Sequence, residues 1–378
     1  MRIVVVIPTY NERVNTEKMI DTLAGVFSQI KNHEMNLLYV DGNSPDGTGD
    51  AVKKKQEQYK WLHLMVETKK EGLGMAYAKG MRYAMDQLKA DYIMEFDGDF
   101  QHRPEDLPLL VGEIDNNYDY IIGSRYVPGG SIPSEWGFDR KLLSVVGNLV
   151  ARTFLILPHI HDVTTGFKLA RVQGFMDQFD FSTLLSKSFA YKVHLLFFMV
   201  NKGARVKEVP IRFMARTSGE SKIIKNEMKE TLRVIFLLQL HNPKIQKIIK
   251  FGIVGFAGYI VNSSTLYLFT KLNWPGWAAW GLSAELAILN NFTWNNLWTF
   301  RDQQISGLSA LVSKFLQFNI TSTGGILIMI IVGVATDYLI GSQYRQIVLP
   351  LTIAFLVMPY NYLMYTLVIW RKKASNQK

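Results

Sequence analysis

The sequence predicts an α/β domain followed by an all-α membrane domain of four helices, and three observations carry that reading. Charge is unevenly spread: residues 1–246 hold 32 Lys and Arg and 29 Asp and Glu, whereas residues 247–378 hold 10 and 3. The front part alternates short apolar runs with segments of helical period, a rhythm that calls for a mostly parallel sheet covered by helices on both faces. The last third holds stretches of 20 or more residues with almost no charge. At about 1.5 Å per residue such helices cross a hydrocarbon core of about 30 Å.

In chain order, strands are expected at Ile3–Ile7, Asn36–Val40, Leu62–Val66, Tyr92–Phe96 and Tyr120–Ile122, with helices at about 13–30, 46–58, 74–88 and 104–116. The run Ile3–Ile7 is too short for a signal peptide. Residues 139–157 are apolar but carry Arg140, Lys141 and Arg152, so they are too short and too charged to span, and they read as a helix lying in the membrane interface. Residues 223–240 share that character; the plainer alternative there is a core helix. The domain boundaries follow as 1–222, 223–246 for a juxtamembrane interfacial helix, and 247–373 for spans at about 251–270, 277–300, 315–337 and 346–370. Lys244, Lys247 and Lys250 precede the first span and Arg371, Lys372 and Lys373 follow the last, while Asn273–Gly276 has no Lys or Arg. The positive-inside rule then puts both termini and the front domain in the cytoplasm. The second span contains Glu285, Asn290, Asn291, Asn295 and Asn296. Interhelical hydrogen bonding is the plain reading of that polar load, and lipid handling or transport the alternative.

Several classes are excluded or disfavoured. There is no cysteine, hence no disulfide, thiol nucleophile or Cys-ligated metal. Of the net charge of +10, residues 202–250 hold the densest excess, with 12 basic and 4 acidic side chains, against 22 and 25 in residues 1–201. That placement suits anionic lipid headgroups and not nucleic acid. No GxxxxGK[ST] is present, and Tyr77 stands where a dinucleotide fingerprint beginning at Gly72 needs its third glycine.

Ligands of such sheets lie beyond the carboxyl ends of the strands. Pro8-Thr9-Tyr10-Asn11-Glu12 follows the first strand, Asp41-Gly42-Asn43-Ser44 the second and Asp97-Gly98-Asp99-Phe100-Gln101-His102 the fourth. Two carboxylates around a glycine can face one hard cation while Gly98 leaves room for phosphate oxygens, which points to Mg²⁺ or Mn²⁺ on a diphosphate. Asp-Gly-Asp is also ordinary turn chemistry. Tyr10 can stack on a base, and Glu12 or Asp41 can accept from a guanine or uracil edge. From the residues alone, Asp97, Asp99 and Gln101 stand out.

The order VVIPTYNE, VDGNSPDGT, EGLGMAYAKG, DGDFQH, GSRYVPGG and TSGESK resembles the family 2 glycosyltransferases of GT-A (Rossmann-like) fold, and looks most like their dolichyl-phosphate mannosyltransferases. NFTWNNLWTF at 291–300 resembles GtrA-like membrane domains. The likeness implies that Pro8, Tyr10, Glu12 and Asp41 contact base and ribose, and that Asp97, Gly98, Asp99 and Gln101 serve metal and diphosphate. It implies Arg125 near the transferred sugar and the acceptor phosphate, and Arg212, Arg216 and Lys222 facing phosphate. Arg140 and Ser144 fall where the family receives the lipid phosphate, at a helix start that favours an anion.

The implied reaction is metal-dependent, inverting transfer of mannose from GDP-mannose to dolichyl or another polyprenyl phosphate, with catalysis resting on Asp99, Arg125 and Arg212. A phosphate monoester has a second pKa near ~6, so no general base is required, and His102, His161 and Asp162 are not assigned that role. Rival readings are glucosyl or aminoarabinosyl transfer to a polyprenyl phosphate, processive polysaccharide synthesis, for which the QxxRW segment is missing, and a lipid-linked sugar flippase. Guanine and uracil, dolichol and undecaprenol, Mg²⁺ and Mn²⁺, and self-association stay open.

Overall fold

In the computed structural model, which describes residues 1–215 and 226–371, the five residues Ile3–Ile7 are all fully buried. A strand buries both faces only inside a sheet covered on both sides, and β1 (Arg2–Thr9) is such a strand. β2 (Glu34–Asp41) pairs parallel with it, β3 (Leu62–Val66) parallel with β2, and β4 (Tyr92–Glu95) parallel with β1 on its other side. Helices α1 (Arg13–Phe27), α2 (Thr48–Gln56) and α3 (Leu73–Asp86) connect them. The side-chain alternation of the strands sends Val4, Val6, Leu38 and Val40 to the α3 face, and Ile3, Val5, Ile7 and Leu37 to the face of α1 and α4 (Leu107–Gly112). Gly80 lets α3 approach the sheet: a Cβ there would lie 2.7 Å from methyl groups of both Val6 and Val40.

All five expected strands form, with ends displaced by at most two residues. The expected helix at 104–116 is a short 3-10 turn followed by α4. Sequence reasoning missed the last two strands of the sheet. The sheet continues through β5 (Tyr120–Ser124), β6 (Lys168–Arg171) and β7 (Val206–Pro210) in the order β3-β2-β1-β4-β6-β5-β7. β6 runs antiparallel to both β4 and β5, and β7 parallel to β5. α5 (Phe138–Phe154) lies between β5 and β6 in the chain, and α6 (Tyr191–Asn201) between β6 and β7. α5 buries Asn148 and Ala151 but leaves Phe138, Leu142, Leu143, Val146 and Leu149 exposed. α7 (Asn226–Leu240) packs Val234, Ile235 and Leu238 into the core beside α6 and exposes Leu232 and Phe236.

The chain divides into two units, Met1–Leu240 and His241–Lys378. The second is helical: α8 (Pro243–Lys271), α9 (Gly276–Trp294) with a π-helical extension to Thr299, α10 (Leu308–Leu339), and a final helix in which α11 (Arg345–Thr352) and α12 (Met358–Met364) are joined and followed by π-helical turns. Among the described residues, three segments are long and apolar enough to cross a membrane: Pro243–Lys271, Leu308–Leu339 and Ser342–Ile369. They contain the expected spans at 251–270, 315–337 and most of 346–370. The expected second span, 277–300, is α9 and its extension, which Glu285 and the asparagines leave less apolar than the other three.

That polar load has a local explanation. Asn296 Oδ1 accepts from Ile305 N (2.8 Å) and Trp370 Nε1 (3.0 Å), and its Nδ2 donates to Ile305 O (3.1 Å). The amide is thus a clasp within a cluster of Phe251, Phe292, Phe300, Phe318, Tyr365 and Trp370. Asn291 packs directly against Gly258 of α8, where a side chain would collide with it.

Candidate active site at the carboxyl end of the sheet

Asp97 follows β4 by two residues. Gly98 crosses close to the end of β1, where a Cβ would lie 3.1 Å from Ile7 Cγ2, and Gln101 N donates to Asp99 Oδ1 (3.1 Å), closing the turn. Asp97 Oδ1 accepts from the Tyr77 hydroxyl of α3 (2.9 Å), and Oδ2 faces Lys192 Nζ (3.4 Å) and His102 Nε2 (3.6 Å). The Asp97 side chain keeps 30% exposure. Burial opposes its ionisation, yet Lys192, His102 and the Tyr77 hydroxyl hold the carboxyl below the usual carboxylate range.

Beneath this turn lies a buried charged layer. Lys192, in the first turn of α6, is fully buried. Gly166 makes room for its pair with Asp97: a Cβ on that glycine would clash with Lys192 Nζ and come within 2.5 Å of Asp97 Oδ2. Lys168, also fully buried, donates to the carbonyls of Val163 (3.2 Å) and Lys192 (3.3 Å), and burial pushes its ammonium down to about 8. Glu95 accepts from the Tyr191 hydroxyl at 2.5 Å, and burial raises its carboxyl against the pull of Lys168 and Lys192. His102 is buried among Phe96, Phe167 and Phe213, and burial pushes it down to about 4. It is therefore neutral at neutral pH.

Arg125, after β5, does not point an uncommitted guanidinium at a ligand. Nε donates to Asp162 Oδ2 (2.7 Å), and Nη2 to Asp162 Oδ1 (2.8 Å) and Thr164 Oγ1 (2.9 Å). The pair is 9% and 0% exposed. Burial disfavours the Asp162 carboxylate, but Arg125 overcomes it and holds the group below its ordinary range. Asp162 also accepts the backbone N–H of Arg125 (3.0 Å) and of Thr165 (3.1 Å), so the pair fixes the segment leading to Gly166. Arg212 is exposed, and its backbone N–H donates to Asp106 Oδ2 (3.2 Å). The adjoining segment closes on the Asp97 turn, with Met214 N donating to Gln101 O (2.9 Å) and Gln101 Nε2 to Met214 O (3.4 Å). Arg216 and Lys222 lie outside the described residues.

The residues expected at the base occupy the neighbouring strand ends and have partners of their own. Pro8 is half-buried in β1 opposite Val40. Lys70 Nζ sits 3.7 Å from the centroid of the Tyr10 ring. Asp41 is buried and accepts from Ser44 N (3.0 Å) and Oγ (2.5 Å), and Glu12 accepts from Asn15 Nδ2 (3.1 Å) where α1 begins. Arg140 stacks on Trp136 (4.0 Å), and Ser144 Oγ lies 2.6 Å from the Tyr126 hydroxyl, next in sequence to Arg125. The structure thus gathers Asp97, Asp99, Gln101 and the backbone of Met214 around one turn. Lys192, Lys168, Tyr77 and Gly166 were missed. The available signal was Lys192 itself, a charge in the first turn of the largely apolar helix YKVHLLFFMVN.

The oxygen donors fit a hard divalent cation. Among the described residues no three His, Asp or Glu side chains cluster as a metal site, so the protein offers the Asp97 and Asp99 carboxylates and the Gln101 amide from one turn. Mg²⁺ and Mn²⁺ in phosphate chemistry take one or two carboxylates and leave the remaining positions to water and phosphate oxygens.

Residues 4–179 match glycosyl transferase family 2, and residues 250–370 match the GtrA/DPMS transmembrane domain. The class is thereby defined as a glycosyltransferase of GT-A fold carrying a membrane domain. The dolichol-phosphate mannosyltransferase of Pyrococcus furiosus is 35% identical over 342 residues, covering 88% of this chain and 90% of its own length. The undecaprenyl-phosphate mannosyltransferase of Micrococcus luteus is 36% identical over 225 residues (59% and 88%), and the polyprenol monophosphomannose synthase of Mycolicibacterium smegmatis 36% over 234 residues (61% and 84%). Among solved structures, the glucosyl-3-phosphoglycerate synthase of Mycobacterium tuberculosis superposes with TM-score 0.45 at 16% identity, covering 63% of this chain and 79% of its own. The chain belongs to the dolichol-phosphate mannosyltransferase family.

Proposed function

We propose that the chain transfers mannose from GDP-mannose to dolichyl or another polyprenyl phosphate, with inversion at the anomeric carbon. The observation that carries this reading is the Asp97-Gly98-Asp99 turn at the open end of β4, in a chain whose relatives at 35–36% identity are named for mannosyl transfer to polyprenyl phosphates.

A lipid phosphate oxygen attacks the anomeric carbon as the bond to the donor's β-phosphate oxygen breaks, and the electron pair leaves with the diphosphate. The nucleophile is already largely dianionic at neutral pH, its second pKa being near ~6. A neutral His102 with its pKa at about 4 suits a site without a general base. Asp97, Asp99 and Gln101 would hold Mg²⁺ or Mn²⁺, which when bound offsets the charge of the leaving diphosphate. Tyr77 and Lys192 keep Asp97 oriented and ionised. Arg212 and Lys222 are assigned to the diphosphate, and Pro8, Tyr10, Glu12 and Asp41 to the nucleoside. Arg125, forked on Asp162, acts as a positioning residue. Arg140 and Ser144 are assigned to the lipid phosphate, at the head of a helix whose exposed apolar residues suit the membrane interface. The catalytic part is assigned to residues 1–222 and, with both termini, to the cytoplasmic side.

The test is transfer of radiolabelled sugar from a panel of GDP- and UDP-sugars into butanol-extractable lipid by the purified full chain with a polyprenyl phosphate. Label from GDP-mannose, abolished by EDTA and by Asp99→Asn, is the expected result. Label from UDP-glucose alone would replace the donor, and no transfer from any donor would overturn the reading.

A further inference from the structure

The feature of the site that the reaction as described does not require is the fully buried Lys192. Its ammonium lies 3.4 Å from Asp97 Oδ2, in a gap that exists because residue 166 is glycine. It is too deeply buried to touch a donor. Among the described residues, Asp97 is the carboxylate within ion-pair distance of it. Lys168 pins the same corner by donating to the Lys192 carbonyl, so the main chain that carries the ammonium is fixed as well. A charge buried at this cost needs a return, and the arithmetic of the site supplies one. Asp97 and Asp99 carry two negative charges, and Lys192 cancels one of them before any ligand arrives.

We infer that Lys192 is a positioning residue that sets the order of assembly: the turn binds a divalent cation poorly by itself and acquires it together with the nucleoside diphosphate. The diphosphate adds the negative charge that Lys192 withholds, and it fills coordination positions that one turn cannot. The consequence is a site protected from loose cations, in which cation and donor arrive as one unit and the spent cation leaves with the nucleotide. This inference rests on the reading of the Asp97 turn as the donor site.

The experiment measures Mn²⁺ binding to the full chain in detergent by electron paramagnetic resonance, with and without GDP, for the wild type and for Lys192→Met. The wild type is expected to bind Mn²⁺ at least about tenfold more tightly with GDP than without it. Lys192→Met should tighten binding in the absence of GDP by about tenfold or more and so shrink that difference. A merely structural role for Lys192 predicts the opposite sign, weaker Mn²⁺ binding in both states. Wild-type binding that is equally tight without GDP overturns the inference alone, and it does so even if Lys192→Met fails to fold. No Mn²⁺ signal with GDP present overturns the donor-site reading and this inference with it.

Discussion

The Arg125–Asp162 pair offers a quantitative test of how the site is held. Asp162→Asn removes the charge that faces a guanidinium only 9% exposed, and Asn cannot receive the two-pronged contact at 2.7 and 2.8 Å. Breaking one side of a buried ion pair costs about 3–5 kcal/mol, because the other charge stays buried and unpaired. At about 2–4 °C per kcal/mol for a unit of this size, the thermal midpoint of the first unit should fall by about 6–20 °C. Arg125→Met alone should cost a comparable amount. The double variant should recover at least about 2 kcal/mol relative to the sum of the two, since no orphan charge remains. Thermal unfolding of all four forms, followed by circular dichroism in detergent, completes the cycle. The pH dependence has a definite sign. Asp162 is held below its ordinary range, so the pair's contribution is complete above the unfolded carboxyl's pKa of about 3.9. It is lost as pH falls through the folded value, and the deficit of Asp162→Asn should shrink in acid. Single costs below about 1 kcal/mol that simply add would mean that the pair behaves as a solvated surface contact, and the positioning argument would collapse.

Asp99→Asn should reduce mannosyl transfer at least about 100-fold, read as butanol-extractable label, if the carboxylate acts on the developing diphosphate charge. Gly80→Ala puts a methyl group 2.7 Å from both Val6 and Val40 and should destabilise the first unit by about 1–3 kcal/mol, visible as a lowered thermal midpoint. Asn296→Leu orphans Ile305 N, Ile305 O and Trp370 Nε1; a loss of about 2–4 kcal/mol in the helical unit is expected, with thermal aggregation in detergent as the readout. His102 and His194 are both pushed by burial to about 4, against about 6.5 when unfolded. Their contribution is therefore complete above pH ~6.5 and drains away as pH falls toward ~4. His102→Phe should flatten that part of the stability profile, and an unchanged profile would contradict the burial argument.

The parallel half of the sheet was legible because its strands are buried on both faces and spell unbroken apolar runs such as VVVI. The other half was not. β6 reads KLAR and β7 reads VKEVP, short segments whose lysines and glutamate look like surface residues. The charge of Lys168 is in fact buried against two carbonyls, and Glu208 receives the backbone N–H groups of His161 and Asp162. The turn at Asp97 was legible because glycine between carboxylates after a strand is a local pattern. What holds that turn is non-local: Tyr77, Lys192 and Gly166 come from separate parts of the chain. The Asp162 partner of Arg125 was invisible, since nothing in Asp162-Val163-Thr164-Thr165 announces which arginine it will meet. The asparagines of 291–300 were legible as polar groups needing partners, and Asn296 finds them within its own helical unit.

The antiparallel placement of β6 bears on how the chain is made. β4 is complete at Glu95, but the strand that covers its open side begins only at Lys168, roughly 70 residues later. At ribosomal rates of about 5–20 residues per second, a nascent four-stranded sheet therefore waits several seconds with a hydrogen-bonding edge bare. β5 cannot join until β6 bridges it to β4, and the apolar helices are synthesised last. Newly made chains should thus be most vulnerable to chaperone capture and mispairing during synthesis of the β5–β6 connection, before any part of the membrane unit has left the ribosome.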